Sequence, residues 1–265
     1  MKKIIINAVL ITLSLSITSL SISATHPSQN TIFQVATIGS LAQGVYDGDF
    51  TYGKLQKKGN FGLGTFLDLN GEMVAVDGHY YEIEANGKLR PVTTKQIAPF
   101  AEVTFFNPTI HKTIENAANY QQLGHQLSKF FLNKNIPYAI RIDGTFKTLR
   151  LRSLRKQQKP YPTLVQASEK QAIFNLNNVK GTVVGFWFPS YWGGIAVAGF
   201  HLHFVTADRT TGGHVLEIAL NQGKVSLAPV HQLDIYLPET KSFAHANLSS
   251  EELHSAIKKA EGGSE

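Results

Sequence analysis

The chain has 265 residues, 43% of them hydrophobic, with 25 Lys and Arg against 19 Asp and Glu (formal charge +6) and no cysteine. Without cysteine there can be no disulfide, thiolate metal ligand or acylated lipoprotein anchor, so stability must rest on the core, with oligomerisation as the one further support open to it. Setting aside Lys2 and Lys3 leaves a mild +4 (23 basic against 19 acidic residues). The one dense basic run (Lys147, Arg150, Arg152, Arg155, Lys156, Lys159) lacks interleaved aromatics, so no nucleic-acid partner is expected.

Residues 1–24 read as a signal peptide: Met1-Lys2-Lys3, an apolar stretch over 4–20 laced with hydroxyls, then small Ser21-Ile22-Ser23-Ala24 before polar Thr25-His26-Pro27. A spanning helix wants about 20 strongly apolar residues, and this stretch is shorter and more polar. Cleavage after Ser23 or Ala24 is expected, giving an exported protein, periplasmic or extracellular, with no membrane partner once cleaved. Residues 25–30 form a linker, and the mature chain of about 240 residues can bury a substantial core.

Short β-branched and aromatic runs separated by Gly, Asn and Asp predict strands at 31–35, 61–67, 73–76, 80–83 and 103–106. Tyr120, Leu123, Leu127, Phe130 and Phe131 fall on helical spacing and predict an amphipathic helix over 112–132. Strands follow at 138–143 and 148–152, a second helix over 164–176, and strands again at 180–188, 195–206, 214–219 and 224–237. The tail predicts a helix over 249–261, with Ser249 as N-cap ahead of Glu251 and Glu252. The pattern is α+β, sheet-dominated, in two lobes: an N-terminal sheet and helix domain over 31–165, a C-terminal β domain over 166–248, a helical tail over 249–265, and a seam near 153–179.

The densest chemistry lies in Gly199-Phe200-His201-Leu202-His203-Phe204, followed by Asp208-Arg209 and Gly212-Gly213-His214. Side chains alternate faces along a strand, so His201 and His203 share a face that Leu202 does not. The run 208–213 is rich in turn formers, and a hairpin turning near Arg209 brings His214 opposite His203. Three neutral imidazoles meeting at one point, with a coordination position left open, make a catalytic zinc site. The other seven histidines (26, 79, 111, 125, 231, 245 and 254) show no such clustering and read as structural or surface groups.

Four stretches together resemble the α-acetolactate decarboxylases. They are Gly62-Leu63-Gly64-Thr65-Phe66 with Leu69-Asn70-Gly71-Glu72-Met73; Ala98-Pro99-Phe100-Ala101; Ile140-Arg141-Ile142-Asp143-Gly144 with Phe146, Arg152 and Gln158-Lys159-Pro160-Tyr161; and the histidine hairpin through Val215 and Leu216. The resemblance implies a two-lobed α/β fold and zinc held by His201, His203 and His214. It also implies Glu72, Arg152 and Glu261 as active-site residues, Thr65 on the pocket wall, and a homodimer. Glu251 and Glu252 compete with Glu261 for the tail position. Glu217 stands where the family pattern leads one to expect aspartate, but strand alternation turns it away from the metal-facing side of His214.

The implied reaction converts 2-acetolactate, a small-molecule substrate, to acetoin and carbon dioxide. Zn2+ stabilises an enediolate, Arg152 holds the substrate carboxylate or the oxyanion, and Glu72 or Glu261 protonates one face. Two other classes share parts of the pattern. A cupin-like metal oxygenase or isomerase also uses H-x-H on a strand, with Asp208 near the position of its acidic ligand. A non-enzymatic, exported metal-binding protein needs a fourth protein ligand and no Arg152.

Overall fold

The computed structural model describes residues 30–250 and 252–261, so the expected leader, most of the linker and Glu251 lie outside the described residues. The first part of the chain supplies β1 (Asn30–Val35), β2 (Phe50–Thr51), β3 (Phe61–Thr65), β4 (Glu72–Val76), β5 (His79–Ile83), β6 (Leu89–Pro91), β7 (Ile97–Ala98) and β8 (Ala101–Thr104). Six of these lie side by side in the order β1-β8-β3-β4-β5-β6, while β2 pairs with β7 alone. Five longer strands follow: β9 (Ile110–Ala117), β10 (Tyr138–Ser153), β11 (Ala172–Phe188), β12 (Gly199–Thr206) and β13 (Gly212–Tyr236). The pairings β10–β11, β11–β12, β12–β13 and β13–β10 close a circuit, and β9 adds to the free edge of β13. Parallel pairing of β1 with the end of β13 joins both strand sets into one hydrogen-bonded surface.

The helices are short: α1 (Ile38–Ala42), α2 (Tyr52–Leu55), α3 (Tyr120–Ser128), α4 (Leu164–Ser168), α5 (Lys241–Ala244) and α6 (Leu253–Glu261). None of the described helices is long and apolar enough to cross a membrane. The sheet-dominated α+β class expected from sequence is present, and hydrogen bonding crosses the expected seam. β10 pairs with β11 in one register from Tyr138 opposite Trp187 to Ser153 opposite Ala172.

Alternation along the long strands decides where the chemistry goes. Leu151, Val183, Leu202, Phe204 and Val215 share one core cluster inside the closed strand set. Their neighbours in sequence, Val184, Phe186 and Val205 among them, turn outward and pack with Ile32, Phe61, Leu63 and Val74 of the N-terminal strands. Arg152, His201, His203 and His214 lie on that second face, between the two strand sets. A one-residue slip of β12 would exchange Leu202 and Phe204 for imidazoles inside the core. Each such apolar side chain contributes about 1.5–3 kcal/mol when buried, so the register is strongly specified.

All three helix expectations change. The helix over 112–132 is instead β9 and then α3, capped by Asn119, whose side chain accepts from Gln122 N at 2.8 Å. Ile114 and Ala117 are buried three residues apart, which mimics a helix, but β13 supplies a strand partner there. The helix over 164–176 stops at Ser168, because β10 continues and pairs with Ala172 onward. In the tail, the helix begins at Leu253, whose N–H donates to Ser250 O rather than to the expected Ser249 cap.

Candidate metal centre

His203 and His214 are cross-strand partners, as the hairpin spacing predicts, and Phe186 backs His201 on the other side. The three ring centroids stand 5.2 Å apart in each pair, and one ligating atom from each ring lies within 4.8 Å of the others. All three are buried. Gly213 makes the close approach of strands here practicable: at φ +146°, a Cβ in its place would stand 2.5 Å from Arg152 O.

The hydrogen bonds orient the rings. His203 Nδ1 lies 2.9 Å from Met73 O, so it carries the proton and leaves Nε2 facing inward, 3.7 Å from Glu72 Oε2. His214 does the reverse, with Nε2 donating to the Glu261 carbonyl at 3.0 Å and Nδ1 facing Glu261 Oε2 at 3.6 Å. His201 Nε2 stands 3.5 Å from the same Glu261 oxygen. Burial, with the Arg152 guanidinium adding to it, pushes the His201 imidazole down to about 3. Burial also holds His203 and His214 well below the usual histidine range, helped by neighbouring imidazoles and Arg152. All three rings are therefore neutral at physiological pH, the state that ligates metal.

Arg152 sits directly across β10–β13 from His214 and is 2% exposed. Its Nη2 donates to Glu261 Oε2 at 3.0 Å, its Nη1 donates to Ala260 O, and its Nε lies 3.6 Å from Glu72 Oε1. Glu72, which a turn-like Asn70-Gly71 context would leave in solvent, is instead buried. Gly71 donates to Leu154 O at 3.0 Å, and Thr65 Oγ1 donates to Gly71 O at 2.7 Å, which pins the turn against the core. Gly71 takes φ +98°, where a Cβ would meet Ile83 O at 2.7 Å. Burial, opposed by Arg152 and reinforced by Glu261, pushes the Glu72 carboxyl up to about 8. Burial raises Glu261 as well, against the pull of Arg152.

All seven residues expected at the site are thus brought together. Glu261 is buried in it, whereas Glu252 is exposed. Asp208, the alternative acidic ligand, is exposed in the hairpin turn and accepts from Thr210. Glu217 likewise faces away, paired with Arg150 at 3.0 Å on the surface. Sequence reasoning missed Glu102 of β8, fully buried, with Oε2 4.0 Å from His201 Nδ1. Its signal was a lone carboxylate between Ala101 and Val103 in an apolar strand. Burial, with Glu261 adding to it, pushes its carboxyl up to about 8.

The donor set suits a metal dication. The inward His214 Nδ1 is buried without a hydrogen-bond partner, as are Glu72 Oε1 and Arg152 Nε. Three neutral nitrogens with a carboxylate oxygen beside two of them form a donor set able to hold a metal ion. The chamber between Thr65, Glu72, Arg152, His201, His203 and Glu261 measures about 20 Å³, and Glu261 also lines an outer cavity of about 490 Å³ beside Trp187, Tyr191 and Val197. The family model for alpha-acetolactate decarboxylase matches residues 32–250. The chain belongs to the alpha-acetolactate decarboxylase family. It is 41% identical over 229 residues to the alpha-acetolactate decarboxylase of Brevibacillus brevis, covering 86% of this chain and 80% of that one. It is 40% identical over 234 residues to that of Bacillus subtilis strain 168, covering 88% and 92%. The crystal structure of the Bacillus subtilis strain 168 decarboxylase superposes with a TM-score of 0.86 at 39% identity, over 88% of this chain and 100% of that one. The protein is accordingly a decarboxylase, a carboxy-lyase, with a buried histidine triad able to hold a metal.

Proposed function

We propose that the protein converts 2-acetolactate to acetoin and carbon dioxide at the His201–His203–His214 centre, with zinc as its metal. The observation that carries this reading is the meeting of three neutral, buried imidazoles with Arg152, Glu72 and Glu261 in one enclosed chamber. Zinc on the three inward nitrogens supplies a Lewis acid that stabilises negative charge on a substrate oxygen. The reaction breaks the bond between the carboxylate carbon and C2, and the electron pair it releases is delocalised into an enediolate. A proton delivered to C2 then gives acetoin.

Arg152 is the group suited to the substrate carboxylate. Its fork already binds one carboxylate, that of Glu261, and a substrate carboxylate can take the same donors by exchange. Glu72 is the better proton donor of the two glutamates. Its Oε1 has no hydrogen-bond partner and its carboxyl is pushed up to about 8, whereas Glu261 Oε2 is engaged by Arg152. Ile38, Leu41, Phe100, Leu154 and Leu164 wall the chamber, so the two methyl groups of acetolactate meet apolar surface and bulk water is kept from the carbanionic carbon. Export through residues 1–24 and homodimerisation belong to the same proposal, on the strength of the leader pattern and the family resemblance.

The test is acetoin release from racemic 2-acetolactate before chelation, after chelation and after zinc is restored. Activity lost to chelator and recovered with zinc is expected, and no acetoin from folded, zinc-loaded protein overturns the reading. One observation favours a scavenging role instead: Glu261 Oε2 stands where a fourth protein ligand would close the site. Arg152→Gln separates the two readings. Acetoin formation collapses with zinc retained if Arg152 serves substrate, and a scavenger shows no acetoin activity to lose.

A further inference from the structure

We propose that Glu102 is the positioning residue for His201: its carboxylate accepts a hydrogen bond from His201 Nδ1–H and so presents Nε2 to the metal. The inference rests on the metal reading above and extends it to a group outside the chamber wall. The other two imidazoles already show the device. His203 turns its outer nitrogen to Met73 O and His214 turns its outer nitrogen to the Glu261 carbonyl. His201 Nδ1 is buried and has no hydrogen-bond partner, and the nearest carboxylate oxygen is Glu102 Oε2 at 4.0 Å. Both Glu102 oxygens are likewise buried without a partner. Two orphaned groups of complementary chemistry therefore face one another, about 1 Å beyond the 2.7–3.2 Å of a hydrogen bond.

Among the described residues no group hydrogen-bonds that carboxylate. Gln34, opposite Glu102 on β1, has its amide nitrogen committed to Ala36 O and Ile195 O. Among the described residues no lysine or arginine pairs with Glu102, and His201 is its one ion-pair contact. An isolated buried carboxylate is costly unless a charge compensates it. A dication on the far nitrogen of the His201 ring is such a charge, and a carboxylate behind a ligating histidine fixes its tautomer and raises its basicity. The placement follows from the fold. Glu102 lies on the face of β8 that meets the closed strand set, while Ala101 and Val103 turn into a separate core with Phe33 and Val35. His201 alone of the three ligands would then carry an anionic partner, which makes it the ligand whose donor strength is tuned.

The test measures zinc affinity by competition with a chromogenic chelator for the wild-type chain, Glu102→Gln and Glu102→Asp. It adds the melting temperature of each metal-free protein and the imidazole nitrogen spectrum of each zinc-loaded one. The Gln variant is expected to bind zinc about 10- to 100-fold more weakly, with an unchanged or higher metal-free melting temperature, and to shift the His201 Nδ1–H resonance. The Asp variant, charged but one methylene shorter, is expected to fall between. Equal zinc affinity in all three overturns the role of Glu102 while leaving the metal site standing. A parallel loss of affinity and metal-free stability, with the His201 resonance unmoved, marks a packing residue and overturns it too. A wild-type chain that takes up no zinc overturns the metal reading itself, and this proposal with it.

Discussion

The β12–β13 hairpin and helix α6 deliver groups to the same chamber by opposite means. In the hairpin every histidine sits in the middle of a paired strand: His201 against Phe186, His203 between Val184 and His214, and His214 between His203 and Arg152. Backbone pairing, on both sides for His203 and His214 and on one for His201, leaves these side chains little freedom. Helix α6 has no strand partner. It docks through buried Leu253, Ile257 and Ala260 on α1 and α4, and its last residue is held by Arg152 and His214. The metal ligands are thus set by the scaffold, whereas Glu261 is set by the chemical groups it serves. A chamber of about 20 Å³ is too small for a five-carbon acid, so its lining must give way when substrate enters.

The largest effect should come from the hairpin. His203→Ala removes a ligand without altering strand pairing, and acetoin formation should fall by about 10³-fold or more, matching several kcal/mol of lost charge stabilisation. Bound zinc, measured on the same preparation, should fall with it; full zinc content would break the comparison. Arg152→Gln comes next, with an expected loss of about 10²–10³-fold in rate, that of one lost charge-stabilising donor, this time at undiminished zinc content.

Changes confined to α6 should be smaller. Ile257→Ala costs about 2–5 kcal/mol of packing, enough to fray a nine-residue helix at the chain end while the strands stay folded. Acetoin formation should drop roughly tenfold as Glu261 leaves Arg152, and zinc affinity should weaken too as His214 Nε2 loses the Glu261 carbonyl, with the global melting temperature nearly unchanged. Amide exchange confined to residues 253–261 would sharpen the contrast, and acceleration in β12 would break it.

Metal-free protein should show a pH signature of the same chamber. The Glu72 carboxyl is pushed up to about 8 from an ordinary 4.5, so its contribution to stability is fully present below about 4.5 and lost as pH rises through about 8. The His201 imidazole is pushed down to about 3 from 6.5, so its contribution is present above 6.5 and lost as pH falls toward 3. Between pH 6.5 and 8 the carboxyls dominate, and the metal-free melting temperature should decline. Glu72→Gln should lessen that decline in a thermal melt series; an unaltered slope would show that Glu72 is already ionised in the folded protein. The smallest effect belongs to the surface. Glu217→Ala breaks an exposed pair with Arg150 and should shift stability by no more than about 0.5 kcal/mol with activity intact.

The histidine hairpin was legible because its information is local. Alternation puts His201 and His203 on one face, and a turn-forming run of fixed length sets His214 opposite. Glu72 was placed by the family resemblance, since Asn70-Gly71 reads as a solvent turn until Leu154 and Thr65 are seen to pin it. Glu102 carried too weak a mark: one acidic residue in an apolar strand has several explanations, and only His201 across the interface selects among them. The expected helix at 112–117 failed for a related reason. Ile114 and Ala117 fit a helical stripe, and the strand form wins only because β13 offers its edge.

By itself, then, the sequence determined the α+β class and the three-histidine face, because both depend on periodicity and on turns within about twenty residues. Tertiary structure decided which carboxylates and which guanidinium those histidines meet. Arg152 and Glu261 are 109 residues apart and His203 and Met73 130 apart, yet each pair is in contact. Such meetings depend on how two strand sets and a terminal helix pack, through contacts that no local periodicity encodes.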